Sequence, residues 1–204
     1  MAIASLTRFT VPLRTNQSAS TQGLLMPKLS YRFRVTFDMG VSTDKVELTK
    51  QVESFSRPTV SFGDLDIAVY NSTVKLAGKP SWGDVSCTLR DDAGGNVSRL
   101  VGEQMQKQFD FFEQSSAASG GDYKFVTKCE ILDGGNGAFE PTVLETWELY
   151  GCYIREANYQ ELAYNTNDAV KIQLSLRYDN AIQTPGGTGI GTNIGRSVGL
   201  NITL

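Results

Sequence analysis

Pairs of aspartates are the first candidates for chemistry in this chain. Asp64 and Asp66 alternate within the segment DLDIAVY, and Asp91 stands next to Asp92. Two carboxylates at either spacing could contribute to a divalent-cation site, but neither pair carries the further oxygen ligands and the glycine of a calcium loop. The sequence therefore favours a turn role for Asp91 and Asp92, and a solvated sheet face for Asp64 and Asp66.

Histidine is absent from the 204 residues, and cysteine occurs three times. The lack of histidine removes the commonest general base and the commonest ligand for transition metals, so Ser-His-Asp triads and His-containing zinc sites are excluded. Cys87, Cys129 and Cys152 are odd in number and far apart in sequence, which is typical of buried free thiols and not of a metal knuckle or a disulfide framework. We predict no enzymatic activity, no metal and no cofactor.

Three other features could bind a ligand. The glycines of GIGTNIG, residues 189–195, miss the spacing of a phosphate-binding loop and have neither a predicted strand before them nor a helix after them. Arg32 and Arg34 could touch phosphate, but they lack an aromatic platform, and a formal net charge of −3 argues against a general nucleic-acid binder. Trp82 and Trp147 could stack sugars, yet tryptophans beside a turn or on an apolar strand face usually belong to a core.

Hydrophobic alternation with a period of two dominates the chain and indicates strands. It occurs at 31–38, 65–69, 72–77, 85–89, 123–131, 147–153 and 170–178. One segment has the helical period instead: after Asn96, a candidate N-cap, apolar residues recur at 97, 100, 101, 105, 109 and 112. A turn is predicted at Gly78-Lys79-Pro80, between two alternating runs. The predicted fold class is mainly β, an antiparallel β-sandwich or barrel of seven or eight strands with one flanking α-helix.

Polar and glycine-rich segments flank this region. Residues 1–26 predict an N-terminal arm, residues 27–180 a single β-barrel domain, and residues 181–204 a C-terminal tail rich in glycine and threonine. The first residues contain Arg8, Pro12 and Arg14 where a signal peptide needs an unbroken apolar core, and no run approaches the roughly 20 apolar residues that span a bilayer. We expect synthesis in the cytoplasm and no membrane insertion.

Three stretches carry a family resemblance: LLMPKLSYRFRVTF, SRPTVSFGDLDIAVYNSTVKLAGKPSWGDVSCTLRDD and TWELYGCYIREANYQELAYNTNDAVKIQLSLRYDN. In this order they resemble the tail tube protein of contractile-tailed bacteriophages, a family related to the tubes of phage-like bacteriocins and type VI secretion systems. The resemblance covers residues 25–180. The matching features are Pro27 with Phe33, the segment 75–78 followed by Trp82 and Asp91, Gly151, and the Asn/Asp-rich turn at 165–168.

The resemblance implies a β-barrel subunit that closes into hexameric rings, which stack into the inner tube of a contractile tail. The implied partners are further copies of this chain, the tail sheath protein outside the tube, and baseplate and tail-terminator proteins at its ends. Phage DNA would pass through the lumen without sequence-specific binding, and the protein would be part of the virion after assembly in the host cytoplasm. Exposed strand edges fit this picture, because a barrel shared around a ring removes edges that would otherwise template aggregation.

Two sets of residues are predicted to act in such an assembly. We expect Asp64 and Asp66 to face the lumen, and Gly78, Lys79, Pro80 and Trp82 to make contacts between rings or between subunits. Lys171 and Arg177 are then expected either away from the DNA path or paired with carboxylates of a neighbouring subunit. The alternatives within the same class are a baseplate–tube junction, initiator or terminator protein, the tube of a phage-like bacteriocin, and the tube of a type VI secretion system. From a different class, the chain could be a monomeric β-sandwich ligand-binding module that uses its tryptophans as platforms.

Overall fold

The computed structural model describes residues 27–39, 45–135, 140–165, 167–184 and 189–191. Within these ranges the chain forms eleven strands and two α-helices. The strands are β1 (Phe33–Asp38), β2 (Val52–Phe55), β3 (Val60–Val69), β4 (Ser72–Trp82), β5 (Val85–Arg90), β6 (Phe109–Asp110), β7 (Ser115–Ser116), β8 (Phe125–Leu132), β9 (Val143–Asn158), β10 (Lys171–Arg177) and β11 (Asn180–Thr184). The helices are α1 (Lys45–Gln51) and α2 (Asn96–Gln108). The mainly β, antiparallel fold class is confirmed.

Strand β9 joins two sheets into one sandwich. Its first half pairs with β8 and β11, and β8 in turn pairs with β1. Its second half pairs with β10, which continues to β5 and β2. The strand bends at Gly151, whose φ of +68° favours glycine, and a Cβ there would lie 2.2 Å from the Asp179 carboxylate. One glycine therefore allows a single long strand to serve both sheets.

Alternating side chains from both sheets fill a single core. The largest contributions come from Val35 and Phe37 in β1, Val85, Cys87 and Leu89 in β5, Leu149 in β9, and Ile172, Leu174 and Leu176 in β10. Each of these side chains is nearly inaccessible to solvent, and burying one Val, Leu, Ile or Phe contributes roughly 1.5–3 kcal/mol. The apolar residues alternate in these segments because each strand turns one side towards the core.

Helix α2 covers this core with Val97, Leu100 and Val101, as its periodicity predicts. The predicted N-cap at Asn96 is wrong, because Gly95 occupies the cap position at φ 68° and makes no side-chain bond. Asp91 and Asp92 cap the helix instead: the Val97 N–H donates to Asp92 Oδ1 at 3.1 Å, and the Ser98 Oγ donates to Asp91 Oδ2 at 2.5 Å. The aspartate pair is thus a helix cap, in line with its predicted turn role.

The helix ends earlier than its apolar pattern suggests. Phe109 and Phe112 fit the helical period, but α2 ends at Gln108 and Phe112 lies in the following turn. A second helix, the seven-residue α1, is not evident in the sequence because it is too short to show a period; it packs beside β1 and α2.

The predicted segment boundaries coincide only in part with the described elements. The predicted arm at 1–26 lies outside the described residues. Strand β11 extends the sheet to Thr184, four residues past the predicted domain end at 180, by pairing with β9. Most of the predicted tail at 181–204 also lies outside the described ranges.

Candidate assembly surface

Strands β3 and β4 form a long hairpin that stands away from the core, here called the projecting hairpin. Within the described part of the chain these two strands pair only with each other. Ten residues of β3 reach about 33 Å at the usual rise per residue. Nearly every residue of the hairpin is exposed, whereas strands in the sandwich alternate between buried and exposed positions.

One side of the projecting hairpin is apolar. Leu65 lies opposite Leu76, and Ile67 lies opposite Val74, with Val69 next along the same strand. These five side chains, the apolar hairpin face, are each between 43% and 55% exposed. Cross-strand neighbours on one face lie close enough to form a continuous surface. The lone chain therefore presents an apolar strip to water.

The opposite side of the projecting hairpin is polar and includes both predicted lumen residues. Asp64 and Asp66 alternate with the apolar residues of β3, and Lys75 lies opposite Asp66 with Nζ 3.8 Å from its Oδ1. We call this side the polar hairpin face. It carries two carboxylates and one ammonium, so it is less acidic than β3 alone suggests. The sequence pattern did not show Lys75 there because the pairing register was unknown.

The predicted turn at Gly78-Lys79-Pro80 is wrong. These residues lie inside β4 at a register shift opposite Gly63, and the real turn of the hairpin is at Tyr70 and Asn71. A bulge explains the misassignment, since one extra residue in β4 interrupts the alternation. A Cβ at Gly78 would lie 2.8 Å from the Gly63 carbonyl oxygen, so the close approach requires glycine.

The predicted contact residues differ in burial: three of them are exposed, and one packs against the core. Gly78, Lys79 and Pro80 are exposed at the bulge. Trp82, at the base of the hairpin, is half-buried against the core, with its ring centroid 5.7 Å from that of Tyr178. The Gly83 N–H donates to the Thr59 carbonyl at 2.9 Å, which continues the pairing of the two hairpin segments by one residue beyond Val60 and Trp82. Trp82 therefore fixes the position of the hairpin.

No family model matches the chain, and no curated protein matches its sequence. Among solved structures, the tube terminating cap of the anti-feeding prophage is similar with a TM-score of 0.63 and 14% identity, over 84% of this chain and 99% of that one. The chain has the fold of contractile-system tube proteins.

Two further structures share this tube fold. A chain of the PVC sheath–tube complex, from an extracellular contractile injection system in the extended state, has a TM-score of 0.57 at 15% identity, over 78% of this chain and 92% of that one. A chain of the sheath/tube terminator of the same type of system has a TM-score of 0.55 at 14% identity, over 79% and 99%. The predicted resemblance to tail tube proteins is therefore confirmed at the level of the fold.

A buried carboxylate ties both ends of the described tube fold to β9. Glu145 receives hydrogen bonds from Trp147 Nε1 at 2.8 Å and Gln183 Nε2 at 2.7 Å, and it pairs with Lys28. Burial raises the pKa of this carboxyl, but the bonds from Lys28, Gln183 and Trp147 and the Lys28 charge outweigh it, so the pKa lies below its ordinary value. Sequence reasoning missed this cluster because Lys28 and Glu145 are 117 residues apart.

Two surface cations considered in the sequence analysis, Lys171 and Arg177, form ion pairs within the chain. Lys171 Nζ lies 2.8 Å from Glu53 Oε1, and Arg177 Nη1 lies 3.2 Å from Asp84 Oδ1. We expected these two residues away from the DNA path or paired with a neighbouring subunit; the carboxylates that pair with them belong to the same chain.

The remaining candidates for chemistry are buried. Burial raises the pKa of the Cys87 thiol to about 12, with a smaller contribution from Cys129, and raises that of Cys129 to about 11. All three cysteines are free and buried, as predicted. Trp147 is also buried, so it offers no platform for a sugar. Among the described residues, no cluster of His, Cys, Asp or Glu is arranged to hold a metal ion, and no helix is long and apolar enough to cross a membrane.

Proposed function

We propose that this chain is a structural subunit of a contractile phage tail, in which hexameric rings of the protein stack into the inner tube. The observation that carries the proposal is the apolar hairpin face, which is exposed in the lone chain, whereas sandwich strands such as β5 and β10 bury their alternating apolar residues. A face of this kind needs a covering surface, and identical copies around an axis provide one. The tube fold shared with contractile injection systems supports the same role.

Burial of the apolar hairpin face would contribute substantially to ring formation. Five aliphatic side chains that are about half exposed correspond to about 4–7 kcal/mol of hydrophobic stabilisation when a second copy covers them. Part of this offsets the entropy lost on association. The remainder, repeated at six interfaces of a closed ring, favours assembly over monomers.

The outer edges of the projecting hairpin also carry backbone groups that could pair with a strand of another chain. Apart from the bonds between β3 and β4, the ladder of the hairpin has no strand partner within the described residues. A neighbouring copy can add a strand at such an edge, and strands shared around a ring close into a common barrel. Lys79 and Pro80 lie at the bulge, where proline and lysine limit uncontrolled pairing.

The two faces of the hairpin then have different surroundings in the assembled tube. With the apolar hairpin face against a neighbouring copy, the polar hairpin face lines the lumen with Asp64, Asp66 and Lys75. Each phosphate that a cation neutralises strengthens non-specific DNA binding, so a lumen with more carboxylates than cations leaves the DNA mobile. Repulsion between like charges acts over about 8 Å at physiological salt and so does not block passage.

The bulge residues supply the second proposed contact. Gly78, Lys79 and Pro80 meet an adjacent subunit or ring, and Trp82 holds the hairpin in the orientation that this contact needs. The sheath protein surrounds the tube, baseplate and terminator proteins bind its two ends, and the assembled protein is part of the virion tail after assembly in the host cytoplasm. The role is structural and involves no reaction.

Negative-stain electron microscopy of the purified protein at rising concentration tests this function. We expect rings and hollow rods of one uniform diameter, with sixfold symmetry in end views. A monodisperse monomer at all concentrations would contradict the proposal, and sugar binding by such a monomer would support a ligand-binding module. Copy number in isolated particles separates the wall of a tube, present in many rings, from a cap or junction, present in one.

A further inference from the structure

The turn that follows helix α2 presents phenylalanine to solvent. Residues 109–116, here called the aromatic turn, comprise the short paired strands β6 and β7 and the residues between them. Phe112 is 94% exposed and Phe111 is 58% exposed. Fully exposed phenylalanine is unfavourable in water unless a partner covers it. Acidic side chains flank the pair, with Asp110 before it and Glu113 after it.

Hydrogen bonds hold the aromatic turn in a fixed shape. The Phe112 N–H donates to Asp110 Oδ1 at 2.9 Å, and the Glu113 N–H donates to the same oxygen at 3.2 Å. Gln106 Nε2 also donates to this oxygen, at 2.8 Å, and so fixes the turn to the end of α2. Phe109 and Phe111 stack edge to face with centroids 5.3 Å apart. Phe112 is therefore presented on a rigid support.

A pocket of complementary character lies elsewhere on the same chain. It has a volume of about 260 Å³, which exceeds the size of one aromatic side chain. Its apolar lining includes Phe33, Phe55 and Ile131, and its cations are Lys28, Arg32 and Arg57. No acidic residue is among the described residues that line it. We call it the basic pocket; because Lys28 is already paired with Glu145, Arg32 and Arg57 supply most of its positive charge.

The aromatic turn and the basic pocket lie at opposite ends of the sheet formed by β1, β8, β9 and β11. Lys107 Nζ, at the end of α2, donates to the carbonyl of Met39 just after β1, at 3.4 Å. The turn thus lies near the end of β1 and the start of β8. The pocket lies where β1 begins and β8 ends, since Phe33 pairs with Ile131. The eight residues of β8 separate the two ends by about 27 Å.

We propose that Phe112 of one copy inserts into the basic pocket of the next copy, with Glu113 beside Arg57. The occupant is a second copy because turn and pocket match in apolar character and in charge, and because their separation prevents them from meeting within one chain. A contact between two different surfaces repeats from copy to copy. In the proposed tube, where the projecting hairpin makes the contacts within a ring, this contact joins one ring to the next; the inference rests on the proposed function in this respect.

Charge reversal with rescue tests the contact. The variants are Phe112→Ala, Glu113→Arg, Arg57→Glu and the double variant Glu113→Arg/Arg57→Glu. Glu103→Arg is the matched control, because Glu103 lies in the middle of α2 and pairs only with Arg99, at 2.9 Å, among the ion pairs of the described chain. Negative-stain microscopy and sedimentation measure the mass of protein in rods and in single rings, and circular dichroism checks that each variant is folded.

The expected result is a loss of rods with retention of rings. Phe112→Ala and both single charge reversals lower the rod mass at least tenfold, the double variant restores it, and Glu103→Arg leaves it unchanged. Wild-type rod mass in Phe112→Ala, or a double variant no better than the single ones, would overturn the contact and leave the proposed function intact. A wild-type protein that forms neither rings nor rods would overturn the proposed function and the contact together.

Discussion

Leu65 and Leu76 lie directly opposite each other in the projecting hairpin, and 55% and 46% of their respective surfaces remain exposed. In the sandwich, the corresponding cross-strand pair of Leu174 and Cys87 is almost completely buried. The same alternating pattern therefore gives buried apolar residues between β5 and β10 and an exposed apolar face on β3 and β4. We propose on this difference that another copy covers the apolar hairpin face.

The two faces of the hairpin can be separated by adjacent substitutions. Ile67→Asp places a charge on the apolar hairpin face, and we expect it to leave a folded monomer and to abolish rings, because a carboxylate cannot be buried unpaired between copies. Ala68→Asp, one residue away on the polar hairpin face, is the matched control and should still form rings. Size-exclusion chromatography with light scattering measures both. Equal assembly of the two variants would contradict the proposed orientation.

The Glu145 cluster should make stability depend on pH. Glu145→Gln leaves Lys28 without its partner, and we expect the free energy of unfolding at pH 7 to fall by about 1–3 kcal/mol. The pKa of Glu145 is lower in the folded state, so its contribution is complete above the ordinary value of 4.5 and is lost as pH falls through the folded-state pKa. The difference between wild type and variant should therefore shrink in acid.

Urea denaturation at several pH values measures this dependence. Glu103→Gln serves as the control, because its exposed pair with Arg99 should contribute at most about 0.5 kcal/mol. A difference between wild type and Glu145→Gln that grows on acidification would show that the carboxyl is not stabilised in its ionised form.

Two glycines should respond to alanine in opposite directions. Gly151→Ala forces a side chain into a left-handed conformation and against Asp179, which binds Lys124 at 2.7 Å, so we expect a loss of about 1–3 kcal/mol. Gly102→Ala, inside α2 with nothing near its added Cβ, should gain up to about 1 kcal/mol. Thermal and denaturant unfolding report both. A neutral Gly151→Ala would show that the bend in β9 does not need glycine.

The three thiols should be unreactive in the folded protein. All are buried, and the pKa values of about 12 for Cys87 and about 11 for Cys129 keep these two thiols protonated at neutral pH. Titration with a chromogenic disulfide reagent should detect no thiol rapidly in the native state and three after denaturation. Fast labelling of even one thiol in the native state would mean that the core opens locally.

Much of the sandwich could be predicted from the sequence, because apolar and polar residues alternate in a strand that buries only one of its faces. The segments around Val35, Cys87 and Leu174 were assigned to strands whose apolar faces do lie in the core. Helix α2 was predicted from Val97, Leu100 and Val101, but its end was not, because Asp110 captures the N–H groups of Phe112 and Glu113 in a turn. Hydrophobic periodicity gives little information about such hydrogen bonds between a side chain and nearby backbone N–H groups.

The candidate surface was less predictable, for two reasons. The pattern around Leu65 and Leu76 predicts strands, yet it gives no indication that the apolar face stays outside the core of its own chain. The Gly78 bulge appears as a turn in sequence, because only the pairing with β3 shows that the strand continues. Long-range contacts such as Lys28 with Glu145 also leave no local trace.

Cryo-electron microscopy of assembled rods gives the most direct measurement of how the projecting hairpin is used. We expect a sixfold ring in which Leu65 and Ile67 are buried against a neighbouring copy while Asp64 and Asp66 line the central channel. A map in which the apolar hairpin face remains in solvent, or in which both aspartates point towards the outer wall, would contradict this structure of the tube.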